Sequence, residues 1–344
     1  MRTLSETALE PGRLEWDQVE TFHVVADAGG FRQAQRKTGQ SLETLRRRVD
    51  ALEKSLGVKL FRREPSGLRL TDIGREVFQN TAAARDSIAA IGRVTRRSAA
   101  AKGGLVSLSA PEGVGIFWLT PRLKMFKTRF PDIVLDLNST MRPADINLNE
   151  ADITIQYAKP KSGNLICRKL GSLHIIFYCS REYAREFGLP KGFDDLKGHR
   201  IAYQSSEQLD ETALLRLFSA EDPTGIVQYR VNSSFALYQL ARTGVVLTAL
   251  PSYVSAFRED LIAIDFGGVS YPLELWLAWH PDVQDYEPAR ALRDWVLENF
   301  DSQKFPWFKD AYVRAETLAS LDCAEWRINM GQFVQPAAPA LSPG

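Results

Sequence analysis

The sequence has few cysteines, no long apolar run and no recognisable catalytic motif, and each absence argues against a class of protein. Its 344 residues include only three cysteines, Cys167, Cys179 and Cys323, too sparse and too widely spaced for a disulfide framework or a zinc site. Cys167 and Cys179 lie in apolar, strand-like surroundings, so we expect buried thiols there and not a redox switch. The cysteine content therefore predicts a protein of the reducing cytoplasm, without a bound metal.

Long apolar runs and catalytic motifs are also missing. No run of about 18 apolar residues occurs, and the N-terminal segment lacks the apolar core of a signal peptide, so we expect neither a membrane span nor secretion. The four histidines, His23, His174, His199 and His280, are scattered, and no hydrolase elbow, phosphate loop or zinc spacing accompanies them. Structural roles are expected for His174 and His280. We expect no enzyme, no catalytic residue and no cofactor.

Positive charge is concentrated near the N-terminus, although the whole chain carries a net charge of only +1. Residues 1–104 contain 19 basic against 13 acidic residues, and residues 31–70 contain 11 against 4. Such asymmetry is typical of a nucleic-acid-binding end joined to a neutral or acidic body. On charge alone, a solvated helix face is the alternative interpretation.

The spacing of apolar residues predicts a helix-turn-helix in the basic region. We expect three short helices, over residues 16–28, 31–37 and 42–55. Gly39 and Gly57 would end the second and third helices, and Ser41 would cap the third at its start. Two short strands around a turn at residues 65–67 would follow, with basic residues on both arms.

The third helix combines an apolar stripe with a cationic face. Apolar residues recur at spacings of three and four: Leu42, Leu45, Val49, Leu52 and Leu56. At about 100° per residue, Glu43 and Arg47 then point away from the core, while Arg46 and Arg48 flank the stripe. The first residues of a recognition helix reach base edges in the major groove, and the arginine fork matches guanine and phosphate. We therefore expect Arg47 to meet bases, and Arg46 and Arg48 to hold the groove edges.

The predicted DNA-binding residues lie on the second helix, at the start of the third helix and on the hairpin. They are Arg32, Gln33, Ser41, Glu43, Thr44, Arg46, Arg47, Arg48, Arg62, Arg63 and Arg69. The three arginines of the hairpin would contact neighbouring phosphates or the minor groove. Two roles stay open for Glu43, which could accept a hydrogen bond from cytosine or pair with Arg47 four residues on.

A long amphipathic helix is predicted over residues 72–101. Its apolar stripe includes Ile73, Val77, Ala84, Ile88 and Ile91. A helix of this kind most simply buries its stripe against a second copy of itself, and packing on the C-terminal body is the alternative. After a hinge at residues 102–104, strands and helices alternate, which predicts an α/β body with an open, mostly parallel sheet.

Polar or small residues follow three strands of this body. Ligands of open α/β sheets lie beyond the carboxyl ends of strands, and helix N-termini favour anions. The candidate effector-binding residues are Ser109, Ala110, Pro111, Glu112, Gln204, Ser205, Ser233 and Ser234. A small carboxylate or phenolic effector is the hypothesis, and Glu112 would oppose an anion if it points inward. For the serines, helix capping alone is the alternative.

Residues 14–100 resemble the winged helix-turn-helix and linker helix of LysR-type transcriptional regulators. The most specific segments are the Ala-Gly-Gly-Phe joint, "LEKSLGVKLFRR" and "GLRLTDIG". Similar landmarks continue to about Phe300: "FPDIVLDL", "EADITIQY", "YCSREY" and "GVVLTALPSYV". One departure stands in the third helix, where the family usually has Ser-Gln-Pro and this chain has Ser41 followed by Leu42 and Glu43. Arg46 also stands where a second serine is common.

The resemblance implies an effector domain similar to periplasmic binding proteins, with two α/β halves and a ligand between them. It also implies crossings between the halves near residues 179–180 and 271–275, and a tetramer built as a pair of dimers. The expected organisation is a leader (1–13), a DNA-binding domain (14–71), a linker helix (72–101), a hinge (102–104), an effector domain (105–300, with halves 105–178 plus 276–300 and 181–270) and an extension (301–344) with a disordered end.

The sequence thus predicts a bacterial, cytoplasmic and nucleoid-associated regulator of transcription. It would bind a two-fold promoter site in double-stranded DNA as a homodimer or tetramer, respond to a small-molecule effector, and have RNA polymerase as a further candidate partner. The alternative is a sensor or solute-binding protein whose basic end meets RNA or an acidic protein. The operator, the effector, the regulated genes and the sign of regulation do not follow from the sequence.

Overall fold

The computed structural model describes residues 14–64, 67–99, 103–161, 164–209, 227–257 and 261–321. The chain divides into two compact units, residues 1–95 and 96–344. The predicted leader, the predicted disordered tail and Cys323 lie outside the described residues.

The N-terminal unit is a helix-turn-helix followed by a hairpin. Its elements are α1 (Trp16–Asp27), α2 (Phe31–Thr38), α3 (Leu42–Leu56), β1 (Phe61–Glu64), β2 (Gly67–Leu70) and α4 (Asp72–Ala99). The Ser41 hydroxyl accepts a hydrogen bond from the Thr44 N–H at 3.1 Å, so it caps α3 as predicted. Gly57 follows α3 at a φ of 69°, where a residue without a side chain is favoured.

A single apolar core holds this unit together. It contains Phe22 and Val25 of α1, Ala34 of α2, Leu45, Val49 and Leu52 of α3, and Leu60. The start of α4 joins it, because Val77 packs on the core, the Phe78 ring stacks on His23 at 4.5 Å, and Thr81 is buried beside the same histidine. We expected Val77 to face a second copy; it instead faces its own domain, since the first turns of α4 lie against α1.

The C-terminal unit is built on a mixed sheet, which within the described residues has nine strands. These are β3 (Leu105–Ala110), β4 (Val134–Ser139), β5 (Ile153–Gln156), β6 (Ile166–Ser180), β7 (Ile201–Gln204), β8 (Val227–Val231), β9 (Leu247–Pro251), β10 (Leu261–Ile264) and β11 (Tyr271–Trp279). The order is β4-β3-β5-β11-β6-β9-β7-β8, with β10 also paired to β6.

The expectation of a mostly parallel sheet was wrong at its centre. The pairs β3–β4, β3–β5, β7–β8 and β7–β9 are parallel, as expected for strands joined by helical crossovers. The described pairs that involve β6 or β11 are antiparallel, because these two long strands run side by side in opposite directions. The result is one parallel region on each side of an antiparallel centre.

Strand β6 passes through both halves of the sheet. Its first residues pair with β11 beside β5, whereas Phe177 and Tyr178 pair with β9, and Cys179 pairs with β10. Strand pairing therefore places the passage between halves near Gly171, opposite an irregularity in β11, and not near residues 179–180. Gly171 has a φ of 144°, and a Cβ there would lie 2.2 Å from the Phe308 carbonyl oxygen, so a larger residue would strain the backbone and clash with that oxygen.

Helices cover the sheet: α5 (Leu123–Arg129), α6 (Arg181–Phe187), α7 (Ser234–Arg242), α8 (Val254–Phe257), α9 (Glu287–Asn299) and α10 (Ala315–Ala319). After β3, helical backbone begins at Glu112 and continues as a π-helical turn over Val114–Leu119. Gly115 allows this turn to pack closely on the adjacent β4, because a Cβ there would lie 2.1 Å from the Ser139 Oγ.

Residues 301–321 belong to the folded body, although we placed the end of the domain at Phe300. Trp307 and Phe308 are buried, and both rings meet Trp118 edge-on, with centroids 5.4 and 4.7 Å apart. The first part of the predicted extension is therefore core, because the aromatic residues of this segment complete the packing around Trp118.

Candidate functional site

The outer face of α3 is polar and cationic. Leu45, Val49 and Leu52 on the opposite face are no more than 2% exposed, whereas Glu43 and Arg47 are exposed. Both of these residues lie in the described part of the chain, and no ion pair joins them there. The stripe therefore fixes the helix in the orientation that directs Arg47 outward, as the geometry of a recognition helix requires.

The two arginines on either side of Arg47 contact other residues of the N-terminal unit. The Arg48 guanidinium donates to Asp17 Oδ2 at 3.1 Å and to Gln40 Oε1 at 3.2 Å, and the Arg46 guanidinium lies 5.8 Å from the centre of the Phe31 ring. We expected Arg48 at a groove edge. The structure places it against α1, where its contacts tie α3 to the preceding helix and turn.

The other predicted residues of this surface lie on three elements. Arg32 and Gln33 are exposed on α2, and the hydroxyls of Ser41 and Thr44 are 2.9 Å apart at the start of α3. Arg62 and Arg69 stand directly opposite each other on β1 and β2, so their side chains share one face of the hairpin. The remaining predicted residue, at position 63, is paired through its backbone, and its side chain lies outside the described part.

A buried carboxylate joins α3 to the hairpin, and sequence reasoning missed it. Glu53 is 6% exposed, and its Oε1 accepts hydrogen bonds from the N–H groups of Leu60 at 2.8 Å and Phe61 at 3.1 Å. Burial raises its pKa, but hydrogen bonds from Lys59, Leu60 and Phe61 outweigh burial and hold the pKa below its ordinary value. An ionised Glu53 thus sets the angle between the recognition helix and the hairpin.

The C-terminal unit contains a cavity of about 120 Å³. Its lining comes from both halves of the sheet and includes Phe117 and Tyr157 on one side and Tyr203, Gln204 and Leu237 on the other. Burial, followed by the nearby charge of Glu112, raises the Tyr157 pKa. A cavity between two α/β halves is the usual place for a small ligand in this architecture.

Glu112 bridges the two halves beside this cavity. Its Oε1 accepts a hydrogen bond from the Ser233 hydroxyl at 2.7 Å, and its Oε2 accepts one from the Ser234 N–H at 2.6 Å. The Ser234 hydroxyl donates in turn to Gln204 Oε1 at 3.1 Å. Four of the predicted residues thus form one hydrogen-bonded group. Within it, the carboxylate of Glu112 is bound at the N-terminus of α7, where an anionic ligand was expected.

Of the eight predicted effector residues, Gln204 and Ser234 line the cavity, and Glu112 and Ser233 lie beside it. The other four are not part of its described lining. Ser109 and Ala110 are buried within β3, which is paired on both sides, and Pro111 is also buried. Ser205 is exposed and its N–H donates to the Val231 carbonyl.

Sequence reasoning missed a second bridge, which is made by Gln208. Its Oε1 accepts from the Tyr157 N–H at 3.2 Å, and its Nε2 donates to the Met141 carbonyl at 3.1 Å. Tyr157, Met141 and the adjacent Leu209 line the cavity, so this bridge helps to enclose it.

The reactive residue types serve the fold. Cys179 is buried, and burial raises the pKa of its thiol to about 11, while Cys167 is half-buried. His174 is buried between the Ser270 hydroxyl and the Lys309 carbonyl, at 2.8 and 2.9 Å. Among the described residues, no group of three or more His, Cys, Asp or Glu could hold a metal ion. None of the described helices is long and apolar enough to span a bilayer.

Comparisons with known proteins match both units. The family described as "LysR substrate binding domain" matches residues 99–301, and "Bacterial regulatory helix-turn-helix protein, lysR family" matches residues 16–75. The chain is 27% identical to a probable HTH-type transcriptional regulator LtrA of Klebsiella pneumoniae, over 80% of this chain and 92% of that protein. It is 28% identical to an HTH-type transcriptional regulator of Xanthomonas campestris pv. campestris, over 61% of each.

A solved structure of CrgA, a LysR-type transcriptional regulator from Neisseria meningitidis, is similar to 84% of this chain and to the whole of that one. The sequence identity is 21% and the TM-score is 0.48.

Proposed function

Because the chain belongs to the LysR family of transcriptional regulators, we propose that it reads a two-fold DNA site with α3 and holds that site with the β1–β2 hairpin. The outward direction of Arg47, opposite a buried stripe, carries this proposal. A small molecule in the cavity of the C-terminal unit would bias DNA binding, provided that it binds two arrangements of the protein with different affinity.

We infer that two copies pair through α4. Val77 and Thr81 face the core of the N-terminal unit. Further along α4, the apolar stripe continues with Ala84, Ile88 and Ile91, which are exposed in a single copy of the chain. Ile88 is 43% and Ile91 is 64% exposed, and large aliphatic residues at helical spacing are typical of a helix that packs on its own copy. Such pairing would present two copies of α3 to successive major grooves.

The proposed activity needs no catalysis and implies a cytoplasmic location at the nucleoid, where the DNA is. Its direct test is equilibrium binding of the full chain to operator and random DNA across a range of salt. Specific binding should exceed random binding by at least about a thousandfold. A ratio near one would instead favour a sensor whose basic end meets RNA or an acidic protein.

Arg47→Ala is expected to relax the preference for one base pair of the operator. The loss is about 1–3 kcal/mol if the guanidinium reads a guanine, because a bidentate contact disappears. Binding to a panel of single-base operator variants measures this change. Lys54→Ala is the matched control, since Lys54 is exposed at the opposite end of the same helix.

Arg62→Ala is expected to weaken binding to all DNA sequences about equally. Its guanidinium lies on the hairpin and would contact phosphate, so the slope of log K against log salt should decrease by about one. Salt titrations with operator and random DNA report both quantities. If Arg47→Ala and Arg62→Ala behaved alike, the division between base reading and phosphate contact would be wrong.

A further inference from the structure

We propose that the effector is an uncharged, mainly apolar small molecule that hydrogen-bonds to Gln204, and that Glu112 excludes carboxylates from the cavity. This inference rests on the proposed function, since it concerns the ligand of the same C-terminal unit. It replaces the carboxylate hypothesis that the sequence suggested.

The cavity offers no cation to a ligand anion. Its described lining is apolar and aromatic apart from tyrosine hydroxyls, two serines and one amide, and no lysine, arginine or histidine belongs to it. Phe117, Ile176, Leu237 and Leu250 are each no more than 5% exposed. An ionised ligand would lose its hydration here without gaining an opposite charge, which is strongly unfavourable.

The position that could hold an anion is already filled. At the N-terminus of α7, the Ser234 N–H donates to Glu112 Oε2 at 2.6 Å, and the Ser233 hydroxyl donates to Glu112 Oε1 at 2.7 Å. The carboxylate of Glu112 therefore takes the place that a ligand carboxylate would need. A second carboxylate beside it would also meet like-charge repulsion.

Gln204 supplies the specific polar contact. Its side chain is 8% exposed and lines the cavity, its Oε1 accepts from the Ser234 hydroxyl, and its Nε2 has no hydrogen-bond partner among the described residues. A buried amide group without a partner favours a ligand that can hydrogen-bond to it. The ligand therefore carries a neutral polar group, such as an amide or a ketone, on an apolar frame.

Matched probe pairs test this assignment on the full chain: benzamide against benzoate, and hexanamide against hexanoate. Calorimetric titration of the wild type should show binding of at least one amide, at least about tenfold tighter than its carboxylate. Glu112→Gln keeps an acceptor for Ser234 but removes the charge, so the preference for the amide should fall by about tenfold or more. Glu207→Gln, at an exposed glutamate, should leave the preference unchanged.

Gln204→Leu provides an independent readout, because it should weaken the amide and leave Glu112 in place. Equal or tighter binding of a carboxylate to the wild type would overturn the inference, as would failure of both amides to bind. The outcome is separable from that of the proposed function. Carboxylate binding together with operator specificity would refute only the ligand class, whereas amide binding without operator specificity would refute the regulator function.

Discussion

Replacing Trp307 by alanine is expected to lower the free energy of unfolding of the C-terminal unit by about 3–5 kcal/mol. Trp307 is 2% exposed, and its ring packs edge-on against Trp118 and close to Phe305. Truncation removes a large apolar surface from the core and leaves a cavity that the neighbouring rings cannot fill. The effect is large because Trp118 lies at the centre of this aromatic cluster.

Urea unfolding of the full chain followed by tryptophan fluorescence measures this loss. Met125→Ala is the control, since Met125 is 55% exposed on α5 and its truncation should change stability by no more than about 0.5 kcal/mol. A Trp307→Ala variant as stable as the wild type would mean that residues 301–321 only rest on the effector domain. The structure instead makes them part of its core.

Replacing Glu53 by alanine is expected to destabilise the N-terminal unit by about 2–4 kcal/mol. The Leu60 and Phe61 N–H groups would lose their shared acceptor in a buried place, and an unsatisfied buried group costs about 1–3 kcal/mol. DNA affinity should fall as well, because the hairpin would no longer be fixed relative to α3.

The measurement is chemical unfolding combined with hydrogen exchange of the Leu60 and Phe61 amides. Glu43→Ala is the control on the same helix, since Glu43 is exposed. The folded-state pKa of Glu53 is lowered, so its contribution is complete above the ordinary value of 4.5 and decreases as the pH falls through the folded pKa. In acid, the variant should therefore lose stability less steeply than the wild type; an equal slope would contradict this account.

Local patterns in the sequence predict the helix-turn-helix and an α/β body, whereas the division of that body into two halves was implied by the family resemblance. The ends of α3 follow from Ser41 and Gly57, and the stripe that contains Leu45 and Val49 predicts which face of α3 is buried. Family comparison confirms the helix-turn-helix and the effector domain. The length of β6 was not predicted, because Arg168 and Lys169 interrupt its apolar pattern.

The parts that escaped sequence reasoning depend on long-range contacts. Glu112 meets Ser233 across 121 positions of the chain, and no local pattern indicates which helix a carboxylate will cap. Glu53 lies beside an apolar stripe, so the local pattern predicts a surface residue. Its burial depends on hydrogen bonds from the Leu60 and Phe61 N–H groups, which only the folded hairpin brings close. The same holds for Trp307, whose burial depends on Trp118, far away in the sequence.

The continuity of β6 limits how the two halves of the C-terminal unit can move. The pairs between β6 and β11, such as Ile175 with Tyr271 and Leu173 with Leu273, lie along the passage between the halves, so a motion of one half against the other must bend or twist these two strands together. A change in twist along the two strands keeps those pairs, because sheets tolerate a range of twist between neighbours. We therefore expect a ligand in the cavity to change the twist of β6 and β11, and so to rotate one half against the other.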